Sequence, residues 1–162
     1  MTAAVLSPAS TPNAPLSHRT GKDFVNLAAI PWTPWVMDGT HFKLLAINEL
    51  SGGFSMLLKV EPGVQAPVHG HLGSAEAYLV EGGFYYEEDD PGYAGDYTYE
   101  RGGSVHQPVS PQGCVMFAVT HGPLAGCNPD GSVSAVVDCR LMLQLAQANA
   151  AADHVVQLVS GR

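Results

Sequence analysis

Basic residues are scarce in this chain. Seven lysines and arginines stand against fifteen aspartates and glutamates in 162 residues, a formal net charge of −8. Gripping a phosphate backbone needs clustered Lys and Arg, so nucleic acid is not an expected partner. Long hydrophobic runs are missing too. None approaches the roughly 20 apolar residues of a membrane span, and no basic stretch leads into an apolar one near the start, so no signal peptide is expected. Cysteines number three, Cys114, Cys127 and Cys139, an odd count without paired spacing. That usage suits a reducing cytoplasm, with Cys114 and Cys139 in apolar runs as core thiols. Only one stretch, Arg140 to Ala152, carries a helical pattern. Its apolar face (Leu141, Leu145 and Ala148, with Leu143 offset) would pack on the rest of the fold or on a second subunit.

Turn formers, by contrast, abound. Eighteen glycines and twelve prolines separate short β-branched and aromatic runs, which favours an all-β sandwich or barrel. The expected strands are His41 to Asn48, Gly53 to Val60, Glu76 to Glu81, Phe84 to Glu88, Gly95 to Tyr99, Gly113 to Thr120 and Ser132 to Asp138. The length is that of one domain with a real core. The first twenty residues, with Ser, Thr, Ala and three prolines, read as a flexible arm before it. Residues 21–162 form the domain, its barrel spanning about 40–138 and its helix about 140–152. The acidic run Glu87 to Asp90 is a solvated hairpin tip.

The segment Gly63 to Gly83 contains His69, His71 and Glu76, and a second glycine-rich segment, Gly95 to His106, adds another histidine. Residues two apart on a strand share a face, so His69 and His71 project together. Glu76 has the wrong parity for a straight continuation, but Gly73 and Ser74 permit a turn or bulge that re-aims the next strand toward the histidines. A single histidine beside a strand is usually structural. Three imidazoles and a carboxylate at this spacing make a divalent-metal site, and a carboxylate among Ala, Tyr, Leu and Val is easier to explain with a cation opposite it. This N/O donor set suits Fe(II), Mn, Ni, Co or Zn, and no thiolate is placed to select zinc.

These residues resemble the cupins. The first cupin motif, G-x5-H-x-H-x(3,4)-E-x6-G, is matched by Gly63, His69, His71, Glu76 and Gly83. The second, G-x5-P-x-G-x2-H-x3-N, is matched by Gly95, Gly103 and His106, with Arg101 in place of the proline and Ser110 in place of the asparagine. The eleven residues between the motifs, Phe84 to Ala94, imply a short hairpin. The resemblance implies an all-β, single-domain cupin: a double-stranded β-helix, or jelly-roll barrel, with a short C-terminal helix. It implies His69, His71, Glu76 and His106 as metal ligands. A homodimer or homotetramer is implied in the same way.

Within the cupins the chain is similar to the group containing acetylacetone-cleaving dioxygenase and 2,4'-dihydroxyacetophenone dioxygenase. The similar stretches are His69 to Gly73, Tyr78 to Gly82, Gly95 to His106 and His121 to Leu124. That likeness implies an Fe(II) dioxygenase that cleaves a carbon–carbon bond of a small diketone or hydroxyketone with O2. Some members lack a ligating carboxylate, whereas Glu76 is present here. The alternatives are another metal-dependent cupin enzyme (isomerase, hydrolase or decarboxylase, with Zn, Mn or Ni) and a zinc-binding sensor resembling the anti-sigma factor cupins. Glu100 is either a residue that orients a ligand histidine or accepts a substrate proton, or an exposed strand-end glutamate paired with Arg101. His121 either caps the cavity and touches substrate or makes a structural hydrogen bond. Tyr78, Tyr85, Tyr97 and Tyr99 lie on strands, so about half should face inward. Trp32 and Trp35 are expected as packing or dimer contacts; His18 and His154 carry no signal.

Overall fold

The computed structural model describes residues 24–158; the expected N-terminal arm lies outside them. In chain order the strands are β1 (Thr33–Pro34), β2 (Thr40–Asn48), β3 (Gly53–Val60), β4 (Val64–Gln65), β5 (His69–His71), β6 (Ala75–Tyr85) and β7 (Pro91–Tyr93). They continue as β8 (Tyr97–Glu100), β9 (Val105–His106), β10 (Val109–Ser110), β11 (Cys114–Thr120), β12 (Leu124–Cys127) and β13 (Val133–Val137). One α-helix, α1 (Cys139–Ala148), precedes the final strand β14 (Val156–Leu158). The larger sheet runs β1-β2-β3-β11-β6-β10-β4, with β14 added on β2 and β7 and β8 on β6; the smaller runs β13-β12-β5-β9. This is the all-β cupin architecture expected from the sequence. No helix among the described residues is long and apolar enough to cross a membrane.

Alternation along the strands builds the core. Phe42 and Leu44 of β2, Phe54, Met56 and Leu58 of β3, Ala77 and Leu79 of β6, and Met116 and Ala118 of β11 are all buried. Facing residues on paired strands point the same way, so registers such as Phe42 with Leu58 and Ala77 with Ala118 bring apolar side chains together. The opposite face of β6, β8 and β11 stays half open: Tyr78, Tyr97, Tyr99 and Phe117 are exposed there. The tyrosine expectation is corrected accordingly: Tyr78, Tyr97 and Tyr99 are exposed on the outer face, and Tyr85 does not enter the core.

A bulge explains which aromatic takes the inward place. The β6–β11 register runs from Met116 opposite Leu79 to Val115 opposite Glu81, leaving Val80 as the extra residue. One extra residue flips every side chain that follows it to the other face. Phe84 therefore enters the core, and Tyr86, just past the strand end, packs against that core in its turn. Gly82 permits the bend: its φ is +66°, and an added Cβ would lie 2.0 Å from the Gly113 carbonyl oxygen. The two strands expected at Glu76–Glu81 and Phe84–Glu88 are thus one bent strand.

The helix forms where expected but with a different face. Asp138 caps it, its carboxylate accepting from the Arg140 and Leu141 amides. Cys139, Met142 and Ala146 are the buried positions, while Leu141, Leu143 and Leu145 are only partly covered and Ala148 is exposed. The helix ends at Ala148 rather than Ala152; Ala150 follows in a left-handed conformation, φ 52°. Trp35 crosses over to α1, its indole N–H 3.0 Å from Met142 Sδ. Trp32 lies under the Lys43 ammonium, 4.6 Å from the ring centre.

Candidate metal centre

The small sheet assembles the histidines. β5 pairs antiparallel with β9, and His69 stands opposite His106. The loop that carries His106 is tied down at the other end of β5. The His71 amide donates to the Ser104 carbonyl at 3.0 Å and the Gly103 amide to the His71 carbonyl at 2.6 Å. Gly103, with φ +86°, supplies the left-handed turn this requires. Gly70 lets β9 approach closely, since a Cβ there would meet Val105 Cγ2 at 3.3 Å.

Three ring nitrogens converge as a result. His71 Nε2 lies 3.0 Å from His106 Nε2, which lies 3.1 Å from His69 Nε2. Among the described residues, His69, His71 and His106 form the group that can hold a metal ion. The His69 Nδ1–H donates to the Pro67 carbonyl at 3.0 Å, which leaves the Nε2 lone pair facing the group. Burial holds two of the rings neutral. His71 is pushed down to about 4 by loss of water, aided by the neighbouring His69. His106 is also pushed down to about 4, again by burial, against the opposing pull of the Glu100 carboxylate. Converging lone pairs repel unless a cation lies between them.

The spacing itself fits a metal. With metal–nitrogen bonds of about 2.1 Å, ligands at right angles sit about 3.0 Å apart and tetrahedral ones about 3.4 Å apart. The observed 3.0 and 3.1 Å match neighbouring ligands at right angles about one ion, and three such ligands leave positions free for other groups. The donors are imidazole nitrogens with a carboxylate beside them, and no cysteine belongs to the group. The residues present therefore fit a divalent metal.

Glu76 is not part of this arrangement. It stands opposite Tyr99 on β8 and Val119 on β11, with the inward-facing Ala75 and Ala77 on either side. Its carboxylate is bonded to His121 Nε2 and to the Tyr97 hydroxyl, both at 2.8 Å, on the outer side of the sheet. The His121 contact, followed by that of Tyr97, holds the Glu76 carboxyl below its usual range. The turn at Gly73–Ser74 does not re-aim the strand as expected; ordinary alternation decides, and the parity puts Glu76 outside. His121 goes with it: half exposed and paired to Glu76, it makes a structural contact and does not enter the cavity.

Glu100 takes the place foreseen for Glu76. It faces Ala75 across the β6–β8 register, which turns it inward. Glu100 Oε2 is 3.0 Å from His71 Nε2, and its Oε1 is 3.6 Å from His106 Nε2. Glu100 is thus turned toward the histidines and is not paired with Arg101. Sequence reasoning missed Tyr86. Its ring stacks on His106 at 4.5 Å between centres, 23° from parallel, and its hydroxyl bonds to Glu100. Burial, reinforced by the Glu100 charge, drives the Tyr86 phenol far above its usual range. Only the bulge in β6 could have signalled that Tyr86 rather than Tyr85 faces in.

Beside these groups lies a cavity of about 100 Å³ within the sheets. His69, His71 and Glu100 line it together with Trp35, Met56, Leu58, Phe84, Met116 and Leu124, and among the described residues no lysine or arginine does. Trp35 is thus a cavity wall as well as a packing residue.

Over residues 20–125 the sequence matches the ChrR cupin-like domain, about two-thirds of the chain. The chain belongs to the ChrR cupin-like family. A comparison with curated protein sequences finds no significant match. Solved cupins share the family's architecture with this chain. A cupin-like protein of unknown function from Ralstonia eutropha is 22% identical with a TM-score of 0.78, covering 90% of this chain and 97% of that one. An RmlC-like cupin from the same organism is 26% identical, TM-score 0.71, covering 82% and 90%. An acetylacetone dioxygenase from Acinetobacter johnsonii is 21% identical, TM-score 0.72, covering 80% and 94%.

Proposed function

We propose that this family member is an Fe(II)-dependent dioxygenase that cleaves a carbon–carbon bond of a small diketone or hydroxyketone. The observation that carries the reading is an apolar cavity sharing His69, His71 and Glu100 with a three-imidazole metal centre. Bound by His69, His71 and His106, Fe(II) would supply a Lewis-acid and redox centre for a chelating enolate and O2. The likeness to an acetylacetone dioxygenase supports the substrate class at the level of fold.

The chain's own residues set the rest. Among the described residues the cavity offers no cationic side chain, so an anionic group held away from the metal would lose hydration without a partner. A neutral ketone with apolar substituents loses little. Glu100 faces the metal centre and is placed to accept the proton that an enolising substrate releases. Met56, Leu58, Phe84 and Met116 exclude water from the same space.

Metal analysis and oxygen uptake test this. Protein purified without added metal should carry iron, and after anaerobic Fe(II) loading it should consume O2 with a β-diketone or a hydroxyacetophenone. Stoichiometric zinc, with no O2 uptake after Fe(II) loading, would reject the dioxygenase in favour of a zinc-binding sensor or a different metal-dependent cupin reaction.

A further inference from the structure

A metal centre built on strands of three and two residues needs something to hold its rings in plane. β9 is only Val105–His106, so backbone pairing fixes the His106 Cα but not its imidazole. His71 Nδ1 is buried without a hydrogen-bond partner, so the usual outer hydrogen bond that orients a ligand ring is missing there. Among the described residues, one side chain contacts both the His106 ring and the Glu100 carboxylate that faces the group. That side chain is Tyr86.

We propose that Tyr86 is a positioning residue of the metal centre: its ring fixes the plane of His106, and its hydroxyl holds the Glu100 carboxylate at the open side of the three-histidine group. The inference rests on the metal-site reading above. The ring lies nearly parallel to His106, 23° and 4.5 Å away, and is itself wedged edge-on against Phe84 at 5.2 Å. Rotation of His106 about its side-chain bonds would break the stack. The hydroxyl donates to Glu100 Oε1, which leaves Oε2 directed at His71 Nε2, 3.0 Å away. An ionised carboxylate can only accept, so the phenol O–H is the donor of this pair and Glu100 the acceptor. Without the hydroxyl, the carboxylate is free to swing toward His106 or into the cavity. The device depends on the bulge at Val80, because the unbulged strand would present Tyr85 to the site instead.

The test uses Co(II) as the probe, titrated into the metal-free full chain and followed by visible absorption and by competition with a chelator. The variants are Y86F, Y86L, E100Q and Y86F/E100Q, with metal-free thermal midpoints recorded for each. Y86L should bind Co(II) about 10–100-fold more weakly, the usual cost of losing an outer-shell partner. Y86F keeps the stack, so it should recover most of that affinity while shifting the Co(II) absorption bands. The double variant should be no weaker than E100Q alone, because the hydroxyl acts through that carboxylate. Wild-type affinity in Y86L, or full additivity in the double variant, would overturn the inference. If Y86L does not fold, Y86F decides, and an unchanged spectrum and affinity would overturn it. A wild-type chain that takes up no Co(II) would instead overturn the metal-site reading itself.

Discussion

Acid should destabilise the metal-free protein well before its carboxylates titrate, and His71 and His106 are the reason. Both are held at about 4 in the fold, against about 6.5 for a histidine in the unfolded chain. Between those values the unfolded state binds protons that the native state refuses. Stability is therefore complete above about pH 6.5 and falls as the pH drops toward 4. Going from pH 7 to 5.5 costs about 1 kcal/mol for each ring, about 2 kcal/mol for the two together. For a domain of this size that lowers the thermal midpoint by about 5 °C. The assay is thermal unfolding by circular dichroism in the presence of a chelator at the two pH values. Replacing both rings by neutral residues, as in H71N/H106Q, should remove most of the difference. An equal fall in that double variant, or no fall in the wild type, would refute the reasoning.

Three further outcomes follow from particular contacts. E76Q should bind Co(II) as tightly as the wild type, because the Glu76 carboxylate faces His121 and Tyr97 outside the centre; a tenfold loss in a metal titration would contradict that placement. G82A should lower the unfolding free energy by at least about 2 kcal/mol, measured by urea denaturation, since its Cβ would collide with the Gly113 carbonyl at a positive φ. D138A should cost about 1 kcal/mol in the same experiment, as two amides at the start of α1 lose their acceptor.

Much of the fold was legible because strand periodicity is a local property. β2 and β3 fall within a residue of their expected bounds, since alternating apolar side chains and flanking glycines mark them without reference to partners. Short strands such as β12 and β14 were missed, because β14 is held only by parallel pairing with β2 and carries no alternation of its own. The helix was placed by composition, but its buried face was not. Docking against β2 and β3 selects Met142 and Ala146, whereas periodicity alone favoured Leu141 and Leu145.

The three histidines were within reach of the sequence for a simple reason. His69 and His71 are two residues apart on one strand, and a shared face follows from covalent geometry alone. The carboxylate was not. Motif spacing favours Glu76, and what turns Glu100 inward instead is the register of β6 against β8, which sets Ala75 opposite Glu100 and Tyr99 opposite Glu76. Tyr86 depended on a bulge in a strand whose partner lies some thirty residues on. Sequence by itself determined the histidine pair, the sheet-rich architecture and the third histidine's loop, all local in the chain. Tertiary structure decided which carboxylate and which tyrosine lie against the three histidines and which tryptophan lines the cavity beside them. Pairing register is a contact between distant segments, and a shift of one residue turns a side chain from the cavity to the solvent.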